Sequence, residues 1–505
     1  MTICRFTLRI VNYVDNFHGN LMPHQKSLSF LFDNIAEKTS QIPEIEITRI
    51  TNNSREVEQG TLFLAYPGEK SDGRKYIADA IAKGAVAIAY DPQDYMLENK
   101  IIPCIPVKNL KTKQSIIAAR FYDFPSQKMP VIGVTGTNGK TSITHFIAQA
   151  LDKCGVIGTV GYGFLSHLIK TANTTPDGLQ LQAMFSELVD QGAQAIAMEV
   201  SSHALSQQRV NDVQFHTAVF TNLTQDHLDY HHTMENYRDA KELLFQQPGL
   251  KNAVINIDDE AGIYFAEKHK NKLNIITYSV RDKSAAIYVE KCIPDAHGFQ
   301  LTVKTPWGCG DFYLPLIGEF NIANALATLG VLGILELPFE KIVKRLSQLK
   351  TVNGRMQLFH GENTPTVIVH YAHSPDALEK ALKSVRSHCA GKVICVFGCG
   401  GDRDKTKRPK MGAIADQLAD KSIITNDNPR SESPEQIAQD ILAGVTHKNK
   451  FVVELDREQA IIQAIQFSNQ ADWILLAGKG HETDQIIGDQ VLHHSDAACV
   501  SKYLV

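Results

Sequence analysis

Short, continuous apolar runs mark this chain, and most of them end in a polar or glycine-rich loop. Residues 131–134 (VIGV), 195–198 (AIAM), 218–221 (AVFT), 393–397 (VICVF), 422–425 (SIIT) and 473–477 (WILLA) are of this kind. Such runs predict strands buried on both faces, as in a parallel sheet covered by helices. The stretches between them are long enough for helices. The pattern therefore predicts an α/β protein whose ligand loops lie at the carboxyl ends of the strands.

Three blocks follow from the punctuation. The first, residues 22–125, contains a strand at 61–66, a polar loop at 67–73, a helix at 76–83 and a strand at 85–90. A Pro- and polar-rich stretch at 121–127 reads as a linker. The second block, 126–353, opens on the 131–134 run and predicts a mainly parallel, P-loop-type sheet. The third, 354–505, has strands at 367–369, 393–397, 422–425 and 473–477, the pattern of a doubly wound, Rossmann-like domain. Residues 1–21 lack the apolar centre and small-residue cleavage site of a signal peptide, and read as a disordered extension. No short-period repeat or low-complexity tract interrupts the blocks.

Composition narrows the function classes. At 505 residues the chain needs more than one core, and 43% hydrophobic with 21% charged residues is ordinary for globular proteins. A net charge of −4 gives no footing for nucleic acid or a membrane surface. Nine cysteines without a C-x-x-C pair point to reduced thiols and a cytoplasmic location. A monomer acting on small molecules is the expectation.

The strongest local chemistry is Gly136-Thr137-Asn138-Gly139-Lys140-Thr141-Ser142. Backbone N–H groups in such a turn wrap phosphate, and the helix that follows adds partial positive charge. Lys140 supplies a full charge for the terminal phosphates of ATP, and the Thr141 hydroxyl suits Mg²⁺. The loop departs from the usual G-x-x-x-x-G-K-T pattern in having Val134 at the first glycine position. Glu199 and His227 each trail a strand of the same sheet, which places both opposite the loop as candidate metal-site residues. Lys241, read from its surroundings alone, is a solvent-facing helix lysine.

Ten segments occur in order: TGTNGKTS, NTTPD, MEVSSHAL, NLTQDHLDYH, GEFNIANALA, GRMQ, YAHSPDAL, FGCGGDRDKTKRP, DNPR and AGKGHE. From residue 22 to the C-terminus this set resembles the Mur ligases, in particular the branch that adds meso-diaminopimelate to UDP-N-acetylmuramoyl-L-alanyl-D-glutamate in peptidoglycan synthesis. The resemblance implies three domains, binding uridine, ATP and the incoming amino acid in turn. It also implies a reaction in which ATP phosphorylates the D-Glu γ-carboxylate and the amine displaces phosphate. Catalytic roles fall to Lys140, Glu199, His227 and Lys241. Lys241 is implied to carry a CO₂-derived carbamate that joins Thr141, Glu199 and His227 around Mg²⁺.

Further positions are carried by the same resemblance. Asn321, Asn324 and Arg355 are implied to contact ATP. Ser54, Gly68, Glu69 and Lys70 would hold the uridine end of the UDP-muramoyl-dipeptide, and Asn173, Thr174, Thr175, Ser201, Gln207 and Arg209 its muramoyl-peptide. Arg403, Asp427, Asn428, Pro429, Arg430, Gly478 and Glu482 would hold diaminopimelate. Two positions depart from the family pattern: His370 stands where an Asp is usual, and Asn426 replaces an acid before Asp427.

Diaminopimelate differs from lysine by one distal carboxylate, and a planar guanidinium is the natural partner for it. Arg430, with Arg403 beside it, therefore argues against the lysine-adding alternative. A folylpolyglutamate-synthase-type ligase would leave the first block and residues 427–430 unexplained. A P-loop NTPase acting as a switch needs no third domain with several ligand loops.

Overall fold

In the computed structural model the described residues are 24–36, 42–68, 71–97, 101–295 and 297–504. The expected extension at 1–21, together with Glu69 and Lys70, lies outside them. The chain forms two compact units. One comprises the described part of residues 1–125 with Phe185–Gln191, and the other residues 126–184 and 192 onward.

The first unit holds a parallel sheet in the order Arg49–Thr51, Thr61–Ala65, Ala85–Tyr90, Cys104–Pro106. Phe63, Ala65, Ile88, Ile77 and Ala80 form its core, so the helix Ile77–Ala82 packs on the sheet through an apolar face. Asn53 caps the turn Ser54–Glu56 by accepting from Arg55 N at 3.1 Å.

The second unit contains two large sheets. In one, Val131–Thr135 lies between Ala195–Glu199 and Thr217–Phe220, parallel to both. Successive strands fall on opposite sides of Val131–Thr135, so the loop after it opens at a switch point, where α/β sheets leave a crevice. Asn252–Asn256, Asn274–Ser279 and Ile287–Asp295 continue the parallel ladder. Beyond them Gly298–Thr305 and Gly308–Leu314 turn antiparallel, an edge that the apolar runs did not announce. Their burial alternates, as expected where one face packs and the other meets water.

The other sheet runs Gln357–Phe359, Thr366–His370, Trp473–Ala477, Val393–Phe397, Lys421–Ile424, Phe451–Val453. All neighbours are parallel except the first pair. Val393–Phe397 is buried throughout, and each large apolar side chain there contributes roughly 1.5–3 kcal/mol on leaving water. These central strands fix the loops at 398–404, 425–432 and 478–483 along one edge.

Candidate functional site

The phosphate-type loop is held by its neighbours before any ligand arrives. Gly136 (φ 149°) and Gly139 (φ 91°) adopt angles that disfavour side chains, and a Cβ on Gly136 would collide with Thr221 Oγ1. Thr137 N donates to Asn222 O at 2.8 Å and Asn138 N to Asn222 Oδ1 at 3.0 Å. Lys140 Nζ folds back to donate to the carbonyls of Gly136 and Thr137, both at 2.9 Å. Burial pulls the Lys140 pKa down. The helix Lys140–Ala150 follows, with Thr141 and Ser142 buried in its first turn.

At the foot of the loop Thr141 Oγ1 donates to Glu199 Oε1 at 3.0 Å. Glu199, only 1% exposed, also accepts from Thr159 N at 2.8 Å. A buried hydroxyl beside a buried carboxylate is a pair of hard oxygen donors. Among the described residues no cluster of three His, Cys, Asp or Glu could hold a metal alone. Magnesium characteristically uses one or two protein oxygens, with phosphate and water supplying the rest, so the pair fits it.

His227 stands just past the strand Thr217–Phe220, at φ 53°, with its ring 4.9 Å from that of His203. Burial, together with His203, Lys140 and Lys241, pushes its pKa down to about 4, so the ring is neutral. Lys241 corrects the reading from its surroundings alone: the helix Met234–Glu242 buries it to 1% exposure. Its Nζ lies 4.1 Å from the Tyr237 ring centroid and has no hydrogen-bond or ion-pair partner among the described residues. Burial, reinforced by Lys140, holds its pKa well below the usual lysine value. Tyr237 links this amine to the loop, its hydroxyl 3.3 Å from Thr137 Oγ1 and its ring 6.1 Å from that of His227.

A second network hangs from Glu199. Thr175 Oγ1 donates to the backbone O of Glu199 at 2.8 Å and accepts from Ser201 N at 3.0 Å. Arg209 donates to Thr175 O at 2.9 Å and also to Gln207, while Thr174 Oγ1 lies 3.1 Å from Thr159 Oγ1. The Asn173 side chain is exposed. Ser54 and Gly68 belong to the other unit. There Ser54 O accepts from Lys83 Nζ at 3.0 Å, and Gly68 N donates to Ser71 O at 2.9 Å.

Asn321 and Asn324 are buried rather than solvent-facing. Asn324 Nδ2 donates to Asn321 Oδ1 at 3.1 Å, and Asn321 Nδ2 to Ile317 O at 2.9 Å. Asn324 Oδ1 borders the phosphate-type loop, facing the open side of Gly139. Arg355 reaches the loop from the C-terminal side, Nη2 donating to Thr141 Oγ1 at 3.2 Å, with its guanidinium 4.5 Å from the Tyr371 ring centroid. Its buried Nε has no hydrogen-bond partner among the described residues.

The C-terminal loops interlock around residues 427–430. Arg430, at φ 53°, donates Nη1 to Gly401 O at 2.8 Å and to Asn428 O at 3.4 Å, while its Nε and Nη2 have no hydrogen-bond partner among the described residues. A Cβ on Gly400 would meet Arg430 Nη1 at 3.0 Å and Arg403 Cγ at 3.7 Å, so the two arginines border one small space. Asn428 donates to Glu482 Oε2 at 2.9 Å and accepts from Lys479 Nζ at 3.1 Å and from Ile486 N at 3.0 Å. Pro429 is buried behind them. The Asp427 carboxylate has no hydrogen-bond partner among the described residues, and burial raises its pKa. Gly478 (φ 115°) spends its N–H on His370 O at 3.1 Å. What it contributes is space beside Asp427 Oδ2, which a side chain would fill.

The first of the two departures is absorbed by neutral bonding. His370 Nδ1 accepts from Met356 N at 3.2 Å, and burial beside Arg355 lowers its pKa to about 3, so an uncharged ring fills the position. At the second, the backbone carbonyl of Asn426 accepts from Arg457 Nη1 at 3.2 Å, a bond any residue there would make, and nothing in the structure explains the exchange of side chain.

Several residues here were not singled out from sequence. Lys479 is fully buried, and its Nζ is 3.0 Å from Glu482 Oε2. Asp376 accepts from Asn138 Nδ2 at 3.0 Å, and His203 borders His227. Each lies inside a segment quoted above, so its position in a motif was the available signal. Arg457, paired with Asp496 at 2.7 Å and bonded to Ala477 O, lies in none of them.

Known proteins match along most of the chain. Family models match at residues 46–122 (Mur ligase family, catalytic domain), 134–332 (Mur ligase middle domain) and 354–480 (Mur ligase, glutamate ligase domain). A UDP-N-acetylmuramoyl-L-alanyl-D-glutamate--2,6-diaminopimelate ligase from Coxiella burnetii is 52% identical over 489 residues, covering 95% of this chain and 99% of that protein. The Pseudomonas aeruginosa protein of the same name is 47% identical, over 89% of this chain and 93% of its own length. A solved structure bearing that name superposes with a TM-score of 0.68 at 33% identity, covering 95% of this chain and 99% of that one. Mycobacterium tuberculosis folylpolyglutamate synthase, at 17% identity, TM-score 0.61 and 73% and 92% coverage, shares the fold alone. Among the described residues no helix is long and apolar enough to cross a membrane. With its phosphate-type loop, its interlocked C-terminal loops and these matches, the chain belongs to the Mur ligase family.

Proposed function

We propose that this protein is an ATP-dependent, ADP-forming amide ligase in peptidoglycan synthesis. It joins meso-2,6-diaminopimelate to the D-Glu γ-carboxylate of UDP-N-acetylmuramoyl-L-alanyl-D-glutamate. The carrying observation is the charge pattern of the C-terminal loops: Arg403 and Arg430 both border Gly400, Asp427 borders Gly478, and Glu482 is tied to the same loop as Arg430 through Asn428. Diaminopimelate has two carboxylates and two ammonium groups, and this set offers a countercharge for each. Lysine would leave a guanidinium without its anion, and discrimination of that polar kind reaches about 10⁴-fold.

A carboxylate is a poor electrophile, and ATP overcomes this. Its γ-phosphoryl group passes to a carboxylate oxygen of D-Glu, and ADP departs. The amine nitrogen then bonds to the acyl carbon, the carbon–oxygen bond to phosphate breaks, and a proton leaves the nitrogen as the amide forms. The residues position groups and offset charge. The loop 136–142, Asn321, Asn324 and Arg355 hold ATP, and Lys140 swings from the carbonyls it now binds to the phosphates. Asn173, Thr174, Thr175, Ser201, Gln207 and Arg209 hold the muramoyl-peptide, with the uridine end at Ser54, Gly68, Glu69 and Lys70. Asn428 and Pro429 shape the amine loop, and Gly478 leaves it room.

Mg²⁺, when bound, neutralises phosphate charge, and Thr141, Glu199, His227 and Lys241 would hold it. For Lys241 this requires carbamylation, in which the neutral amine adds to CO₂ and loses a proton. Its burial without a partner and its depressed pKa support that chemistry, because only an unprotonated amine reacts.

The test uses dipeptide substrate labelled with oxygen-18 in the γ-carboxylate. Amide product gaining one diaminopimelate residue, with label carried into the released phosphate, is the expected result. Release of unlabelled phosphate, or release that needs no amine, would contradict the reading.

A further inference from the structure

We propose that Glu432 is a positioning residue for amine selection, so that the specificity element extends two residues past Arg430. This rests on the reading of Arg403 and Arg430 as the carboxylate-binding pair. Those arginines come from different loops, at 400–404 and 427–432, and the one direct side-chain tie between the loops that either makes, Arg430 Nη1 to Gly401 O at 2.8 Å, does not offset the repulsion of two like charges. Glu432 does so. Its Oε1 accepts from Asp402 N at 2.6 Å and from Arg408 Nη2 at 2.9 Å. Its Oε2 accepts from Arg408 Nη1 at 3.0 Å and from Lys405 Nζ at 3.0 Å.

The carboxylate thus pins the backbone next to Arg403 and offsets two nearby cations. Arg408 is fully buried and also bonded to Asp440 at 2.8 Å, so the anchor is rigid. A second tie runs the other way, from Ser431 Oγ to Asp402 Oδ1 at 2.6 Å. A third joins Gly401 N to Asn428 O at 2.9 Å. The result is one double loop carrying both guanidiniums in a fixed register. Bidentate recognition depends on such preorganisation, whereas addition of an amine lacking the distal carboxylate does not.

The test compares full-length wild type, Glu432→Gln and Asp402→Gly, the last at a φ of 54° that glycine adopts freely. Thermal melts accompany kcat and KM for each substrate. For Glu432→Gln the KM for diaminopimelate should rise about tenfold while kcat and the KM for ATP stay within about twofold. The ratio of kcat/KM for diaminopimelate to that for lysine should fall by a similar factor. Asp402→Gly, which removes an exposed carboxylate, should lower the same ratio by about threefold. A folded variant with the wild-type ratio, or one with every KM shifted alike, would overturn the proposal. If Glu432→Gln does not fold, an unchanged ratio in Asp402→Gly does so. A wild type that itself shows no preference for diaminopimelate would instead defeat the underlying reading of the arginines.

Discussion

Arg355 donates Nη2 to Thr141 Oγ1 at 3.2 Å, which bonds the head of the C-terminal sheet to the foot of the phosphate-type loop. The contact is set by an unusual backbone: Gly354 (φ 68°) and Met356 (φ 54°) flank Arg355, and Tyr371 N returns to Gly354 O at 2.8 Å. Arg355→Ala should therefore lower kcat by about 10²-fold, the usual cost of one preorganised donor to developing charge. The loss should be equal for any amine, because Arg355 lies on the ATP side. Steady-state kinetics with two amines check this, and a loss confined to diaminopimelate would contradict it.

Arg430 makes the opposite prediction. Removing its fork in Arg430→Ala should raise the KM for diaminopimelate at least about tenfold and leave ATP binding intact, since a buried anion without a partner is unfavourable. Arg403→Ala should act in the same direction but more weakly, because its side chain is exposed. Competition kinetics and nucleotide titration separate the two effects. An unchanged kcat/KM for diaminopimelate in Arg430→Ala would remove that residue from the site.

Lys241 should respond to CO₂. Carbon-13-labelled bicarbonate is expected to give a carbamate resonance in the wild type that is absent in Lys241→Ala. Activity should fall reversibly in CO₂-free buffer. Equal activity with and without CO₂, in a preparation shown to lack the resonance, would exclude the modified lysine from the reaction.

Acid should destabilise the protein through its buried histidines. Burial lowers His370 to about 3 and His373 and His481 to about 4, against an ordinary value near 6.5. The unfolded chain then binds more protons than the folded one between those values. The stability these neutral rings contribute is complete above pH 6.5 and is lost as pH falls towards 4. Each adds up to about 1.4 kcal/mol per pH unit to the slope. Denaturant unfolding from pH 7 to 4.5 should show this, and His370→Asn, which keeps an acceptor for Met356 N, should flatten the slope by about one proton.

The parallel strands were legible because their side chains are buried on both faces, as in Val393–Phe397 and Trp473–Ala477. The phosphate-type loop was legible because its glycines and lysine are neighbours in sequence. What was not legible depends on distant packing. Lys241 reads as an ordinary solvated cation and Lys479 does not stand out within its motif, and only the folded sheets show both to be buried. The antiparallel edge at Gly298–Leu314 alternates apolar Phe299, Leu301 and Val303 with polar residues, so it lacks the continuous apolar runs by which the other strands were read. The role of Glu432 in joining two arginine loops required both loops to be seen together.

The most direct test of the account is amine-dependent ADP release with the UDP-muramoyl-dipeptide, comparing meso-diaminopimelate with L-lysine at equal concentration. The structure predicts rapid release with diaminopimelate and release with lysine lower by several orders of magnitude, towards about 10⁴-fold. Comparable release with the two amines, or release that ignores the amine altogether, would contradict it.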